Sequence, residues 1–540
     1  MMPNSRISLK STGLSRRLAA TAVLALATPL VAPSAALAAG DTIVIARDTD
    51  FNTLDPSRSW CDTCQIYLTA AYDQLVRVGK DNETIEARIA QSWEISDDGL
   101  TYTFHLDPAA IFSDGSPVEA SDVKFSLERL RDIKAGASFL AEGIDTIDTP
   151  AAKTVVVHLS APDPEFLGKV SAPYGAIMNA EVVMAHGAVS GPDADSADQG
   201  EAWLLENSAG SGAYVLDSYR PDDEMRLIAN PNYWRETPDA TTIVMREAQD
   251  AVAQMQMLQS GGADIAMQVD PDTAAMAASA GVTTELVPSF NFIYVALSPG
   301  AAGLEVPLTP KVREAIGLAI DYEGVLEFTL GGAAGLIASP IPNGFPGTKG
   351  LPMPKQDLEK ARALLAEAGA GGGFSMVAAY PETNIYGVDL TTMMQKVQQD
   401  LRRVGVVLEL QPVTFAVWRD RVGGDHIPMT AVYFAPDYYG SGQYAGYFSM
   451  VPGSAWYNRA GGDAVDGLAN ARSQELMEAV RTATPEAAVG LYREMALAMI
   501  SDRVILPLIN PKLVLAYRDN ITGVRYAVCC NLPLEDLVKN

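Results

Sequence analysis

Between Ile89 and Leu130 the chain alternates apolar and polar residues and then changes period. Trp93-Glu94-Ile95 begins a short alternating segment, and Asp97-Asp98-Gly99 is a turn signal. Thr101 to Leu106 puts Tyr102, Phe104 and Leu106 on one face and Thr101, Thr103 and His105 on the other, as a half-buried strand requires. Asp114-Gly115 turns the chain again. Ser121 or Asp122 is then expected to cap a helix with Val123, Leu127 and Leu130 on its apolar face. The unit reads strand, turn, strand, turn, helix: an α+β module. Further along, the pattern predicts a helix from Ala248 to Leu258. It predicts a second over Lys311 to Asp321, with Val312, Ala315, Ile316, Ala319 and Ile320 inward, followed by an extended Pro340-Ile341-Pro342 linker. Asp357 is expected to cap a helix from Leu358 to Ala368 that Gly369 stops. Thr391 to Val404 reads as a helix running into a strand from Val406 to Leu410.

The first residues are of a different kind. Arg6, Lys10, Arg16 and Arg17 form a basic region with no acid before Asp41, Leu18 to Ala32 is a short apolar run, and Ala36-Leu37-Ala38 is a small-residue cleavage signal. Residues 1–38 are therefore expected to be a signal peptide, with the mature chain starting near Ala39. Ser15-Arg16-Arg17-Leu18 hints at twin-arginine export, but Ala19 and Ala20 favour ordinary secretion. The first cysteine is Cys61, so no lipidation cysteine stands at the cleavage point, and a free periplasmic protein is expected. No other long apolar run suggests a membrane span.

About 500 mature residues are too many for one core and suggest two or three domains. The net charge is −27, and loss of the leader's four cations takes it to −31. Such acidity argues against nucleic acid and anionic membrane surfaces and is compatible with cationic or zwitterionic ligands.

The chain lacks a GxSxG elbow, an HExxH pair and a phosphate loop of the GxxxxGK[ST] type. Gly210-Ser211-Gly212 lacks the third glycine and the later acid of a dinucleotide fingerprint. No catalytic group, cofactor or enzyme activity is expected. Four cysteines form two sequence pairs, Cys61 with Cys64 and Cys529 with Cys530. In an oxidising compartment disulfides are the default, with free thiols or a zinc site as rivals. Four scattered histidines (His105, His158, His186, His426) argue against metal.

The residues from Ile89 to Leu130 resemble a family pattern, LA-x-SWE-x-SxDGxxYTFxLR…FSDGxPxxAxDVxFSxER. The matches include Ser92-Trp93-Glu94, Asp98-Gly99, Tyr102-Thr103-Phe104, Phe112-Ser113-Asp114-Gly115, Asp122-Val123 and Glu128-Arg129. Ser208 to Tyr214 resembles a GTGPY turn with Ala213 in place of proline. Asn230-Pro231-Asn232-Tyr233-Trp234 resembles NPxYW, and Ser260 to Ile265 resembles SGExDI with Gly262 in place of glutamate. Lys311 to Asp321 resembles VRQAxxxAID, and Leu364 to Gly369 resembles LLxEAG. These are features of the family 5 extracellular solute-binding proteins of ABC importers, the dipeptide, oligopeptide and nickel-binding type.

The resemblance implies an α/β, bilobal periplasmic binding protein of type II with an extra domain in the first lobe. Lobe I would combine residues 39–75, 206–288 and 507–540; the extra α/β domain would span 76–205 and lobe II 289–506. It implies a monomer that captures peptides between its lobes and passes them to the transmembrane subunits of an ABC permease. A non-peptide amine, an opine, a glycoside, or service to a sensor or chemoreceptor are the alternatives. In peptide-binding members a W-x-A-D-Y-x-D-P stretch supplies an aspartate that pairs with the peptide's ammonium. Asp437 falls on that aspartate, Tyr438 on the tyrosine and Phe434 on the tryptophan, while Tyr439 and Ser441 stand where the D-P is missing. Trp456 is a further aromatic candidate, and Trp60, after Leu54-Asp55-Pro56, and Phe139 would face the cleft from the other side. Because both ends of the mature chain would share lobe I, Cys61 and Cys64 are expected to pair with Cys529 and Cys530. A local Cys61–Cys64 bond is the rival, and a bond between the adjacent Cys529 and Cys530 would strain the backbone.

Overall fold

Most strand-forming runs of the chain collect into one twelve-stranded sheet. The computed structural model describes residues 42–276 and 281–540, so the expected leader lies outside the described residues. From one edge, the sheet runs Val406–Val413, Phe374–Pro381, Met429–Phe434 and Phe292–Leu297, then the long strand Ile505–Arg518. It continues through Ile265–Ala266, Thr42–Arg47, Thr242–Glu247 and Glu224–Ala229 to Tyr214–Arg220. Phe292–Leu297 is buried at every position, as a strand covered on both faces must be.

The long strand serves both halves of the sheet. Its first residues, Ile505 to Ile509, pair antiparallel with Phe292–Leu297, and its later residues, Lys512 to Arg518, pair with Val282–Pro288. One hydrophobic core lies under the N-terminal half, around Ile43, Tyr67 and Tyr214. Two others lie under the far half, one around Val295, Ile316 and Met393 and one around Phe292, Phe448 and Met495.

The module read between Ile89 and Leu130 is a separate four-stranded antiparallel sheet. Its order is Ala90–Ile95, Thr101–Leu106, Thr154–Leu159, Ile144–Ala151. Tyr102, Phe104 and Leu106 point inward and Thr101, Thr103 and His105 sit outward, as the alternation required. The helix is Ala120–Asp132, and its cap is Glu119 rather than Ser121 or Asp122. Asp122 instead returns its carboxylate to the Glu119 N–H in a capping box, so the acid seen in the sequence sits one turn inside the helix. The later helices form at Ala251–Ser260, Pro310–Ala319, Leu358–Glu367 and Leu390–Arg402. Asp357 caps the third of these by accepting from the Lys360 N–H.

The module is fastened to the N-terminal segment by buried charge. Arg129 is fully buried and grips Asp55 through two 2.6 Å bonds and Asp198 through two 2.8 Å bonds. Burial alone would pull the guanidinium down, but the two carboxylates win and hold it above its ordinary value. Arg88 makes a second buried cluster with Asp73 at 2.5 Å and Glu535 at 2.7 Å.

The cysteine expectation is corrected. Cys61 bonds to Cys64, with the Cα atoms 5.1 Å apart, and Cys529 and Cys530 are free thiols. Cys61 is the N-cap of the helix Asp62–Ala71, so the first helical turn itself brings position i and i+3 together. The C-terminal segment does lie beside this turn, where Asn531 donates to the Asp62 carboxylate, but a hydrogen bond and not a disulfide joins them.

Arg129→Ala would leave the buried Asp55 and Asp198 carboxylates with only the longer Arg58 contacts at 3.5 and 3.3 Å, and a loss of about 3–5 kcal/mol in denaturant-unfolding stability is expected. Lys134→Ala, which removes an exposed ion pair with Asp195, is the control and should leave the midpoint unchanged.

Candidate functional site

The strand Met429–Phe434 ends in a turn whose shape is fixed from within. Pro436 ends the run, and the Gln443 amide closes the turn behind it. Its Oε1 accepts from the Asp437 N–H at 2.8 Å, and its Nε2 donates to the Tyr438 and Gly440 carbonyls. A second amide, Gln65 on the helix Asp62–Ala71, donates to the Pro436 carbonyl at 3.4 Å. With its backbone held on both sides, Asp437 turns its carboxylate toward a cavity of about 660 Å³.

Five of the sequence candidates line this cavity: Trp60, Phe139, Phe434, Asp437 and Tyr438. They come from three distant parts of the chain. Trp60 follows the N-terminal strand, Phe139 belongs to the inserted module, and the other three surround the turn after Met429–Phe434. The Trp60 indole N–H donates to Asp437 Oδ1 at 2.8 Å across a separation of 377 residues. The Trp60 backbone is held in turn, its N–H donating to Asn52 Oδ1 at 3.0 Å, and the next residue is Cys61 of the disulfide.

The other three candidates lie elsewhere. Trp456 is fully buried, with its indole N–H donating to the Tyr294 hydroxyl at 3.1 Å, and it packs in the core of the far half. Ser441 is fully buried and donates to the Pro346 carbonyl at 2.9 Å. The Tyr439 ring packs on Phe345, 5.2 Å between centroids.

Several residues of the cavity carried no recognisable sequence signal. Glu165, in the loop Asp163-Pro164-Glu165, accepts from the Tyr438 hydroxyl at 2.8 Å and from the Gly442 N–H at 2.9 and 3.0 Å. Tyr492 on the helix Pro485–Asp502 also hydrogen-bonds to it, and Met477 and Met495 complete apolar parts of the wall. An isolated acid in a Pro-rich loop looks like any solvated turn until its partners are in place.

Burial raises both Asp437 and Glu165, but Glu165 accepts from Tyr438, Tyr492 and the Gly442 N–H, whereas the Asp437 carboxylate accepts from Trp60 alone among the described residues. Burial pushes the Asp437 carboxyl up to about 7, against the smaller opposing pull of the Trp60 hydrogen bond. Asp163 is paired with Lys169 at 2.6 Å. Asp437 has no ion-pair partner among the described residues. A buried carboxylate with one neutral donor carries a stability cost and an unfilled capacity to accept hydrogen bonds.

Comparison with known proteins gives the family and the fold. The sequence matches the bacterial extracellular solute-binding proteins, family 5 Middle, over residues 84–455. It is 28% identical over 406 residues to the probable D,D-dipeptide-binding periplasmic protein DdpA of Escherichia coli (strain K12), covering 74% of this chain and 75% of that one. It is 26% identical over 504 residues to the glutathione-binding protein GsiB of Salmonella paratyphi A, covering 91% and 93%. Among solved structures, the fold matches the periplasmic binding protein DppA from Helicobacter pylori in complex with the peptide STSA. The TM-score is 0.77 at 20% identity, over 92% of this chain and 98% of that one. It also matches AgaA of A. tumefaciens R10 in complex with agropinic acid, with a TM-score of 0.74 at 21% identity, over 92% and 99%. The fold is the bilobal α/β fold of periplasmic binding proteins.

The raised Asp437 carboxyl has a stability consequence with a definite sign. A folded value near 7 against an unfolded value near 3.8 means that ionising Asp437 opposes folding. The penalty is absent below about pH 4 and complete above about pH 7. Asp437→Asn should therefore raise the melting temperature of the solute-free protein at pH 8, with the gain shrinking to nothing near pH 4, as followed by calorimetry.

Proposed function

The chain belongs to the family 5 bacterial extracellular solute-binding proteins, and from that membership we propose that it is the periplasmic receptor of an ABC importer for peptides with a free amino terminus. Solute enters between the lobes, and the loaded receptor delivers it to the transmembrane subunits of the permease. The receptor acts as a secreted monomer released by cleavage of its leader, and itself catalyses nothing. The lobes divide at residues 39–75, 206–288 and 507–540 against 289–506, with residues 76–205 as the module added to the first. The names of the relatives that bind dipeptides and glutathione support peptides as the class of solute.

One observation carries the reading: the unpaired, buried Asp437 carboxylate in a cavity walled by residues of all three parts. An ammonium group placed there gains a charge-assisted hydrogen bond of about 1.5–3 kcal/mol and relieves the desolvated charge. Trp60, Phe139 and Tyr438 give the adjoining side chain aromatic surfaces to pack on.

The test is calorimetric titration with a set of short peptides, each free or N-acetylated, alongside opines and amino sugars. Free peptides should bind, and acetylation should weaken binding by about one to two orders of magnitude, as should Asp437→Asn. Equal affinity for free and acetylated peptides would remove the amine anchor, and binding of the opine alone would reassign the solute.

The pH dependence follows from the same group. An ammonium pairs with the ionised carboxylate, so below pH 7 binding must first expel the Asp437 proton. Affinity should fall by up to about tenfold per pH unit from 7 toward 5.5, and fall again above about pH 8 as the peptide's own amine, ordinarily about 7.7–8.0, loses its proton. The acid limb should vanish in Asp437→Asn.

A further inference from the structure

Tyr438 is reached from the strand Met429–Phe434, which belongs to the far half of the sheet, yet its ring is buried in the core of the near half and the inserted module. It is the one described residue between 289 and 506 that joins that core. The module meets it with Glu165, whose carboxylate takes the Tyr438 hydroxyl and, with both oxygens, the Gly442 N–H. Behind Glu165 the short helix Phe166–Val170 presses its backbone against the same turn: a Cβ on Gly168 would lie 2.6 Å from the Tyr439 carbonyl oxygen. On the facing side, a Cβ on Gly442 would collide with the Glu165 carboxylate. Gly168 thus permits a backbone approach that a Cβ would obstruct, and Gly442 leaves room for the Glu165 carboxylate where it lies.

The turn held in this way is the one that carries Asp437. We propose that Glu165 and the helix Phe166–Val170 form a latch on the turn Asp437–Gly442, so that the inserted module, and not the two lobes alone, closes on the solute and positions Asp437. Glu165 is a positioning residue: its partners are Tyr438, Tyr492 and the Gly442 backbone, while the cation-seeking carboxylate is its neighbour. The inference rests on the reading that solute is held between the lobes, but the latch can be tested without any solute.

Gly168→Ala is the sharpest variant. Alanine suits a helix better than glycine, so the module should lose nothing by itself. Closure alone is obstructed. Glu165→Gln is the second variant, because it keeps the shape and removes the charge that strengthens the bonds to Gly442 and Tyr438.

The experiment is hydrogen–deuterium exchange of the full mature chain without solute, with small-angle scattering on the same samples. In both variants, exchange across 437–446 should rise at least tenfold and the radius of gyration should increase. The module strands Thr101–Leu106 and Thr154–Leu159 and the central strand Phe292–Leu297 should exchange as in the wild type. Unchanged exchange across 437–446 in the two variants would overturn the latch. Faster exchange that spreads through the module strands would overturn it as well, because Glu165 would then be holding the module together and not closing it. Should Gly168→Ala fail to fold, Glu165→Gln decides alone. Failure of peptides to bind would sink the proposed function and leave these measurements untouched.

Discussion

Everything in the molecule hangs from one strand, Ile505–Arg518. Its fourteen residues supply ladder partners to the far half at one end and to the near half at the other, so the two halves share a single hydrogen-bonded sheet. The ladder is weakest in the middle. Pro507 and Pro511 have no N–H to give, and the register of the facing strand shifts between Ile293 and Tyr294. Across this gap the Asn510 side chain substitutes for backbone, its amide donating to the Ser289 and Asn291 carbonyls at 2.9 and 2.8 Å. Side-chain bonds of this kind can be kept while the backbone dihedrals around them change. The same stretch that unites the halves thus carries the break in the ladder between them.

Buried charge is used in two opposite ways. Around Arg129 and Arg88 every carboxylate meets a guanidinium, and the cost of desolvation is offset by short bonds. Those clusters hold the inserted module to the N-terminal segment. Asp437 receives no such partner. Its carboxyl is taken out of water by Trp60 and the walls of the cavity and is given one neutral donor. The contrast separates carboxylates whose burial is offset by a guanidinium from one whose burial is not, and ionising the second costs the fold stability.

Local patterns were legible because they record local physics. Tyr102, Phe104 and Leu106 alternate because a strand has two faces, and that strand formed where its residues said it would. The helix over Lys311 to Asp321 and the Asp357 cap were readable for the same reason: period and capping are settled within a few residues. The helix after Asp114-Gly115 was placed well but its cap was not, since Glu119 and Asp122 both offer an acid and only the backbone geometry chooses between N-cap and N3.

By itself, then, the sequence determined the fold class, the family and the strand-end turn that carries Asp437. It did not determine what that turn would face. Trp60 and Trp456 are both aromatic residues beside plausible motifs, yet one donates to Asp437 and the other is sealed in a core. The cysteines could be paired across the chain or within one helical turn, and the turn won. Glu165 is an unremarkable acid until Tyr438, Tyr492 and Gly442 arrive from more than 270 residues away. Only the tertiary structure decides such matters. Periodicity states which face of an element is buried, but a carboxylate's role depends on the sum of charges, donors and lost water around it. That sum is assembled from segments that meet only when the chain has folded.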